Sequence, residues 1–206
     1  MKKKILALTL VFALALALGI GGTVAWLTAQ TTPVVNTFTV GDINITLTET
    51  GTTNNAKNYT FVPGDTLAKA PKVTVTAGSE DCYLFVKVEE ANNTATDLTG
   101  KVINWSVDTG TDQAPQWKAV PGHDGYWYRE VASATSDSEF YVLTGGTTKN
   151  LNGQVTVNEN VTKEMVGALK NTPPTITVTA AAVQKDNVAD VTAAWAKLPT
   201  AFTTTP

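Results

Sequence analysis

Several stretches of the chain alternate between apolar side chains and threonine or charged side chains, and this period of two constrains the fold more than any other feature. Val73 and Val75 alternate with Thr74 and Thr76, and in residues 82–89 Cys, Leu, Val and Val alternate with Tyr, Phe, Lys and Glu. Because successive side chains of a strand point to opposite faces of a sheet, each alternating stretch predicts a strand with one face in a core. The many threonine and valine residues are β-branched and favour the same structure.

Turn signals separate these stretches and indicate the fold class. Pro63-Gly64-Asp65 is a strong turn signal, and glycine- and asparagine-rich segments lie between other stretches. About eight or nine short strands joined by such turns predict an all-β jelly-roll or Greek-key β-sandwich over residues 38–198. The stretches that predict strands are 37–40, 43–48, 73–76, 82–89, 103–107, 125–129, 140–143, 155–157 and 176–179. The residues expected to face inward at the start are Phe38, Val40, Ile43, Ile45 and Leu47, with a bulge or turn at Gly41 and Asp42.

Two segments show helical spacing instead. Residues 161–169 favour one short helix, and residues 187–198 are the better candidate. One face of the second segment is expected to pack on the sheets and consists of Val188, Val191, Ala194 and Trp195. The sequence therefore predicts one or two short peripheral helices. Residues 199–206 are polar and are expected to form a flexible tail.

The N-terminus has the three parts of a secretory signal peptide. A basic start at Lys2–Lys4 precedes an almost continuously apolar run over residues 5–20, and small residues follow up to Ala25. This layout predicts that residues 1–25 are a signal peptide and that the cut leaves Trp26 as the new N-terminus. The alternative is an uncleaved membrane anchor, for which the apolar run is at the short end. Cleavage predicts a secreted protein with no stable membrane anchor.

The charge of the chain argues against nucleic acid as a partner. The formal net charge is −3, and loss of the three lysines within residues 1–25 leaves 12 basic and 18 acidic residues, a net charge of −6. Binding to phosphates requires clustered cations, whereas Arg129 is the only arginine here. The sequence therefore predicts no nucleic-acid partner.

The residue types needed for catalysis are scarce. Cys82 is the only cysteine and is expected to face inward on a strand, and His123 is the only histidine and lies in a predicted turn. A helical zinc site needs two histidines, and no Gly-x-Ser-x-Gly motif presents a serine nucleophile. Adjacent carboxylates such as Glu89 and Glu90 point to opposite faces of a strand, so they do not form an acid/base pair. We therefore predict no enzyme activity, metal site or cofactor.

Short motifs near both ends of the chain resemble one protein family. Residues 21–26, Gly-Gly-Thr-Val-Ala-Trp, resemble the signal-peptide exit in substrates of the signal peptidase SipW. The pattern Phe-x-x-Gly-x-Ile-x-Ile of the TasA/camelysin family is matched by Phe38, Gly41, Ile43 and Ile45, and the family's turn is matched by Pro63, Gly64 and Asp65. Residues 177–184 and 188–198 resemble the closing strand and helix of its clostridial, BsaA-type members. Between about residues 91 and 160 the match is one of pattern only.

This resemblance implies a jelly-roll subunit of extracellular biofilm matrix fibres, made by a Gram-positive, Firmicutes-like bacterium and located in the matrix or at the cell surface. A SipW-like signal peptidase acts on such a subunit during export. Its fibre partner is another copy of itself, with an accessory matrix protein as a further possible partner. The protease label of camelysin-like members is not supported by the residues here, because the metal ligands are too few.

In such fibres the mature N-terminal segment of one subunit completes the sheet of its neighbour, which is β-strand addition. Here that donor segment is residues 26–37, whose apolar anchors are Trp26, Leu27, Val34 and Val35. Head-to-tail contacts of this kind propagate into filaments.

Two other functions remain open from the sequence. A monomeric surface adhesin is one, in which Trp117, Tyr126, Trp127 and Tyr128 bind glycans, although alternation favours a core position for several of them. A secreted, camelysin-like protease is the other.

Overall fold

Strands form most of the regular structure, as the alternating pattern predicts. The computed structural model describes residues 41–49, 51–52, 57–111, 114–144 and 153–204. The strands are β1 Ile45–Thr48, β2 Thr66–Leu67, β3 Lys72–Val75, β4 Cys82–Ala91, β5 Ile103–Asn104, β6 Ser106–Val107, β7 Gly110–Thr111, β8 Ala114–Pro115, β9 Lys118–Ala119, β10 Tyr126–Val131, β11 Ser138–Tyr141, β12 Leu143–Thr144, β13 Val155–Val157 and β14 Thr175–Gln184. The helices are α1 Lys163–Leu169, α2 Val191–Trp195 and α3 Thr200–Thr203.

Two antiparallel sheets face each other across the main core. The first has the strand order β1-β3-β11, and the second has the order β14-β4-β10-β9. Val73 and Val75 of the first sheet belong to the same buried cluster as Leu84 and Val86 of the second. Smaller pairings, β2-β13-β5, β12-β6 and β7-β8, complete the strand structure. The prediction of an all-β fold is confirmed.

Strand β4 is the centre of the second sheet and is covered on both faces. Its register with β14 runs from Thr175 opposite Ala91 to Gln184 opposite Cys82. The residues predicted to face inward lie in the main core and are Cys82, Leu84, Val86 and Val88. The alternate residues Tyr83 and Phe85 are also buried, but in a second cluster on the outer face. Both faces of β4 therefore carry apolar side chains that are buried, one face in the main core and the other in the second cluster.

The C-terminal helices cover that outer face. Ala194, Leu198 and Phe202 are buried against Tyr83, Phe85 and Tyr126, and the predicted helix-face residues Val188, Val191 and Trp195 pack there as well. The prediction that this face packs on the sheet is confirmed. Helix α2 is shorter than the predicted span of 187–198, because the Asp190 side chain accepts a hydrogen bond from Ala193 N at 2.9 Å and so begins the helix there.

The described residues contain three short helices, one more than the upper number predicted. The segment that follows Pro199, expected to be a flexible tail, contains α3. Phe202 is buried in it, and Tyr126 Oη donates to the carbonyl oxygens of Phe202 and Thr203. A single aromatic anchor in a polar sequence gives no periodic signal, which is why the pattern did not predict this helix. Helix α1 lies within the predicted segment 161–169, and Thr162 caps its N-terminus.

The first described strand agrees with the predicted one in part. Strand β1 begins at Ile45, and Ile43 and Ile45 are half-buried against the main core, as expected. Leu47, also expected to face inward, lines the groove together with core residues, but its side chain is 38% exposed because no described residue fills the groove. Phe38 and Val40 lie outside the described residues, and so does the N-terminal segment that precedes them.

Candidate functional site

A groove of about 800 Å³ lies beside the two edge strands β1 and β14. Leu47 and Thr48 of β1 line one wall, and residues 175–178 of β14 line another. The remaining lining residues come from the loop after β1, from β2 and the turn after it, from β5 and β13, and from the turn before β14: Glu49, Thr52, Lys57, Asn58, Tyr59, Phe61, Leu67, Lys69, Pro71, Ile103, Val155, Pro173 and Pro174.

The interior of the groove is continuous with the main core. Ile103 and Val155 are buried residues of that core, and both line the groove. Phe61, Leu67 and Ile176 are half-buried against the same core. An apolar side chain that entered here would gain contact with core residues and would leave water, which is the main source of affinity in apolar sites.

Strand β14 borders the groove with an edge that carries none of the usual protection. It is 10 residues long, its sequence is TITVTAAAVQ, and it contains no charged residue and no proline. Among the described strands it pairs with β4 only. An edge strand presents a row of backbone N–H and C=O groups, and proteins usually block long edges with charges, prolines or bulges. Strand β14 is therefore suited to pair with one more strand.

Three walls of the groove are joined by a carboxylate. Glu49, whose side chain is 11% exposed, accepts hydrogen bonds from Ala70 N at 3.1 Å and from Lys69 Nζ at 3.0 Å. Tyr59 Oη lies 2.8 Å from both Glu49 Oε1 and the carbonyl oxygen of Ala68. Burial, and then the contact with Glu49, raises the pKa of Tyr59 above its ordinary value, so the phenol stays protonated as a donor. Lys57 Nζ donates to the same Ala68 carbonyl at 3.1 Å.

The other side of the facing sheets is closed. The guanidinium of Arg129, on β10, stacks on the ring of Phe140, on β11, with its carbon 3.5 Å from the ring centroid. Trp117, 1% exposed, donates from Nε1 to Tyr141 O at 2.7 Å. Burial lowers the pKa of Arg129 to about 10, against an opposing effect from Asp108. A stacked cation and a buried indole thus connect the two sheets on this side.

Most of the interface residues predicted from the sequence cannot be placed against the groove. Ala25, Trp26, Leu27, Val34 and Val35 lie outside the described residues, as does Phe38. Of the motif residues, Ile43 and Ile45 lead into the β1 wall, and Gly41 lies against Glu80, where an added Cβ would come within 2.5 Å of Glu80 Oε1.

The turn Pro63-Gly64-Asp65 is confirmed. Asp65 N donates to Val62 O at 3.1 Å, Val62 N donates to Asp65 Oδ2 at 2.8 Å, and Gly64 has a φ of 84°, which glycine adopts without strain. This turn connects Phe61, which lines the groove, to β2. The motif therefore joins the groove-lining Phe61 to the strand that holds Leu67.

The two residues with the most reactive side chains lie on opposite faces of the second sheet. Cys82 is fully buried in the main core, and burial raises its pKa to about 11, with Asp81 adding to the effect. His123 stacks on Trp195 over the outer face, with ring centroids 4.0 Å apart. A cysteine–histidine pair would need both on one face. Within the described ranges, no group of three or more His, Cys, Asp or Glu residues is arranged to hold a metal ion.

The four aromatic residues considered for glycan binding are mostly parts of the protein interior. Trp117 and Tyr126 are buried, as the core interpretation predicts, and Trp127 and Tyr128 are half-buried. Trp127 packs with Trp105 against the main core, and Tyr128 packs with the second cluster. These side chains therefore do not form one open platform.

Comparison with protein-family models, with curated proteins and with solved structures gave no match. In the part of the chain that the structure describes, no helix has the length and apolar character needed to cross a membrane.

The sequence did not identify the residues that build the groove. Glu49, Phe61, Leu67, Ile103, Val155 and Ile176 come from five separate parts of the chain. Ile103, Val155 and Ile176 lie in alternating stretches, which predicted their strands but not the gap beside them. The uncharged stretch 175–184, next to Pro173 and Pro174, was the available signal of an open edge.

Proposed function

We propose that this protein is a secreted structural subunit of extracellular matrix fibres, which assembles head-to-tail when the N-terminal segment of one copy enters the groove of the next. The observation that carries the proposal is the open groove beside the uncharged edge of β14. The resemblance to the TasA/camelysin family supports the same function. The finer fold assignment, a jelly roll, and the signal peptide over residues 1–25 belong to this proposal.

The chemistry of the donor segment suits the groove. Residues 26–37, WLTAQTTPVVNT, carry no charged side chain. In an extended strand, every second side chain faces the same way, so Leu27, Ala29, Thr31, Pro33, Val35 and Thr37 share one face. That face is apolar except for its two threonines, whereas the other face carries the apolar Trp26 and Val34 and is otherwise polar, with Thr28, Gln30, Thr32 and Asn36. Such a strand can bury its apolar face against the core and extend the sheet at β14 through backbone hydrogen bonds.

The positions of the two ends favour contact between copies. Asp42, three residues before β1, accepts a hydrogen bond on its carbonyl from Glu80 N at 3.0 Å, and β14 ends nearby, where Lys185 N donates to Asp81 O at 2.7 Å. The groove lies at the opposite end, beside Thr48 and Thr175. A ten-residue strand is about 33 Å long. A donor that leaves at one end of the subunit and an acceptor at the other form a heterologous contact, which repeats into a filament.

The first test is electron microscopy of the mature protein, residues 26–206. We expect filaments from the mature chain and monomers after deletion of residues 26–35. A sharper pair consists of Ala29→Asp, which places a charge on the apolar face, and Gln30→Asp, which places it on the polar face. Assembly should be lost in the first variant and kept in the second, whereas equal assembly of both would contradict strand insertion. A mass spectrum of the secreted protein that begins at Trp26 would support the cleavage site.

The alternative functions have distinct outcomes. Glycan binding by a protein that never assembles would favour the adhesin hypothesis. Metal-dependent proteolysis that persists in His123→Ala but is lost with a chelator would favour the protease hypothesis.

A further inference from the structure

Glu49 connects three walls of the groove. It directly follows β1. Its carboxylate accepts hydrogen bonds from Ala70 N and Lys69 Nζ, in the turn after β2, and from Tyr59 Oη, in the intervening loop. Leu47, Tyr59 and Lys69 all line the groove. A single buried side chain therefore sets the distance between these walls.

Glu49 is also the one acidic residue among the described groove-lining residues, which include two lysines. Its carboxylate forms an ion pair with Lys69 at 3.0 Å, and both side chains are mostly buried, 11% and 15% exposed. A buried charge is costly unless it is paired, because the protein interior solvates ions poorly. The pair thus neutralises the Lys69 ammonium at the wall against which an uncharged strand would lie.

From these contacts we infer that Glu49 is a positioning residue for strand acceptance, an inference that rests on the proposed function. It keeps the walls in place and the Lys69 charge compensated, so that the groove accepts a neutral, apolar strand from a second copy. The effect is confined to the acceptor role, since residues 26–37, which form the donor, lie in a separate part of the sequence.

The acceptor role can be separated from a general effect on folding. In Glu49→Gln the side chain keeps its size but loses its charge, so an incoming strand would bury Lys69 without its carboxylate. We expect filament elongation from seeds to slow by about tenfold or more, the effect of losing one hydrogen bond to a charged group. The matched control is Glu139→Gln, which removes the 2.7 Å ion pair with Lys72 on the first sheet, away from the groove, and should elongate normally.

A mixing experiment then tests which role is lost. Glu49→Gln retains its donor segment, and Ala29→Asp retains its groove. Equal amounts of the two full mature chains should therefore form mixed dimers, and filaments should appear no faster than they do with Glu49→Gln alone. The double variant Glu49→Gln/Lys69→Met removes both charges and should recover most of the elongation rate. The inference would be overturned if Glu49→Gln elongated at the wild-type rate. It would also be overturned if the donor segment of Glu49→Gln did not bind in the groove of Ala29→Asp. Normal filaments from Ala29→Asp alone would instead refute the proposed function.

Discussion

One lateral side of the facing sheets is closed, and the other is open. On one side, Arg129 of β10 stacks on Phe140 of β11, and Trp117 donates to Tyr141 O, so that side chains from both sheets join across the core. On the other side, β1 and β14 border a groove, and core residues line it. The same core is therefore sealed along one side and accessible along the other.

The edge strands on the two sides also differ in length and charge. On the closed side, β11 carries Glu139 in an ion pair with Lys72, and β9 is two residues long and contains Lys118. On the open side, β14 is 10 residues long and uncharged. Short or charged edges resist pairing with another chain, and long neutral ones favour it. Under the proposed function, strand addition is therefore expected on one side only, which would give a linear fibre rather than irregular aggregation.

The largest effect on stability is expected on the closed side. Trp117→Ala should lower the free energy of unfolding by about 3–5 kcal/mol, because it removes a fully buried indole and leaves a cavity. Urea denaturation followed by circular dichroism measures this loss. Trp117→Phe fills part of the cavity and should lose less. A loss below about 1 kcal/mol for the alanine variant, the size of an ordinary surface substitution, would show that this side is not sealed by Trp117.

The floor of the groove should be the next most sensitive. Asn93 is buried, its Nδ2 donates to Ile103 O at 2.9 Å, and its Oδ1 accepts from Ile103 N at 2.7 Å. Asn93→Ala leaves these backbone groups of a groove-lining residue without partners and should cost about 2–3 kcal/mol. The exposed Asn58→Ala, on the groove wall, is the control and should change stability by no more than about 0.5 kcal/mol. Equal effects of the two substitutions would mean that the floor is not held by Asn93.

The open side should affect assembly much more than stability. Leu47→Asp alters a side chain that is 38% exposed, so the free energy of unfolding should change by about 1 kcal/mol or less. Filament formation should nevertheless be lost, because the charge would be buried by the incoming strand. Thr46→Asp, on the opposite face of β1, should assemble normally. If Leu47→Asp formed filaments, Leu47 would not be part of the interface between subunits.

The smallest expected effect is a pH dependence of stability that comes from Glu90, which accepts a hydrogen bond from Asn93. Burial raises the pKa of Glu90, but hydrogen bonds from Asn93, Lys101 and Trp105 outweigh it, so the pKa is lowered overall from 4.5. A carboxyl group with a lowered folded-state pKa contributes stability above its unfolded pKa, and this contribution is lost as the pH falls through the folded value. Glu90→Gln should therefore flatten the decline in melting temperature below pH 4.5. An unchanged decline would show that other carboxylates cause the acid sensitivity.

Local patterns predicted the strands well because alternation depends on a few neighbouring residues. Residues 82–89 predicted which face of β4 lies in the main core, and the spacing of Val188, Val191 and Trp195 predicted the helix face that packs on the outer cluster. The exposure of Leu47 is a property that local alternation does not determine. Its alternation with Ile45 indicated burial, but burial depends on whether another segment covers the end of β1. The groove combines residues from distant parts of the chain, and no local periodicity encodes a gap between them.

A cysteine cross-link between copies tests the central claim most directly. Leu47 and Tyr141 are similarly exposed, 38% and 41%, but lie on the open and closed sides. The native Cys82 is fully buried, and burial raises its pKa to about 11, so it does not compete. Subunits with Leu27→Cys are mixed with differently tagged subunits with Leu47→Cys or Tyr141→Cys, and the filaments are oxidised. The account predicts disulfide-linked mixed dimers with Leu47→Cys and none with Tyr141→Cys. Equal cross-linking of both, or filaments that cross-link neither, would contradict it.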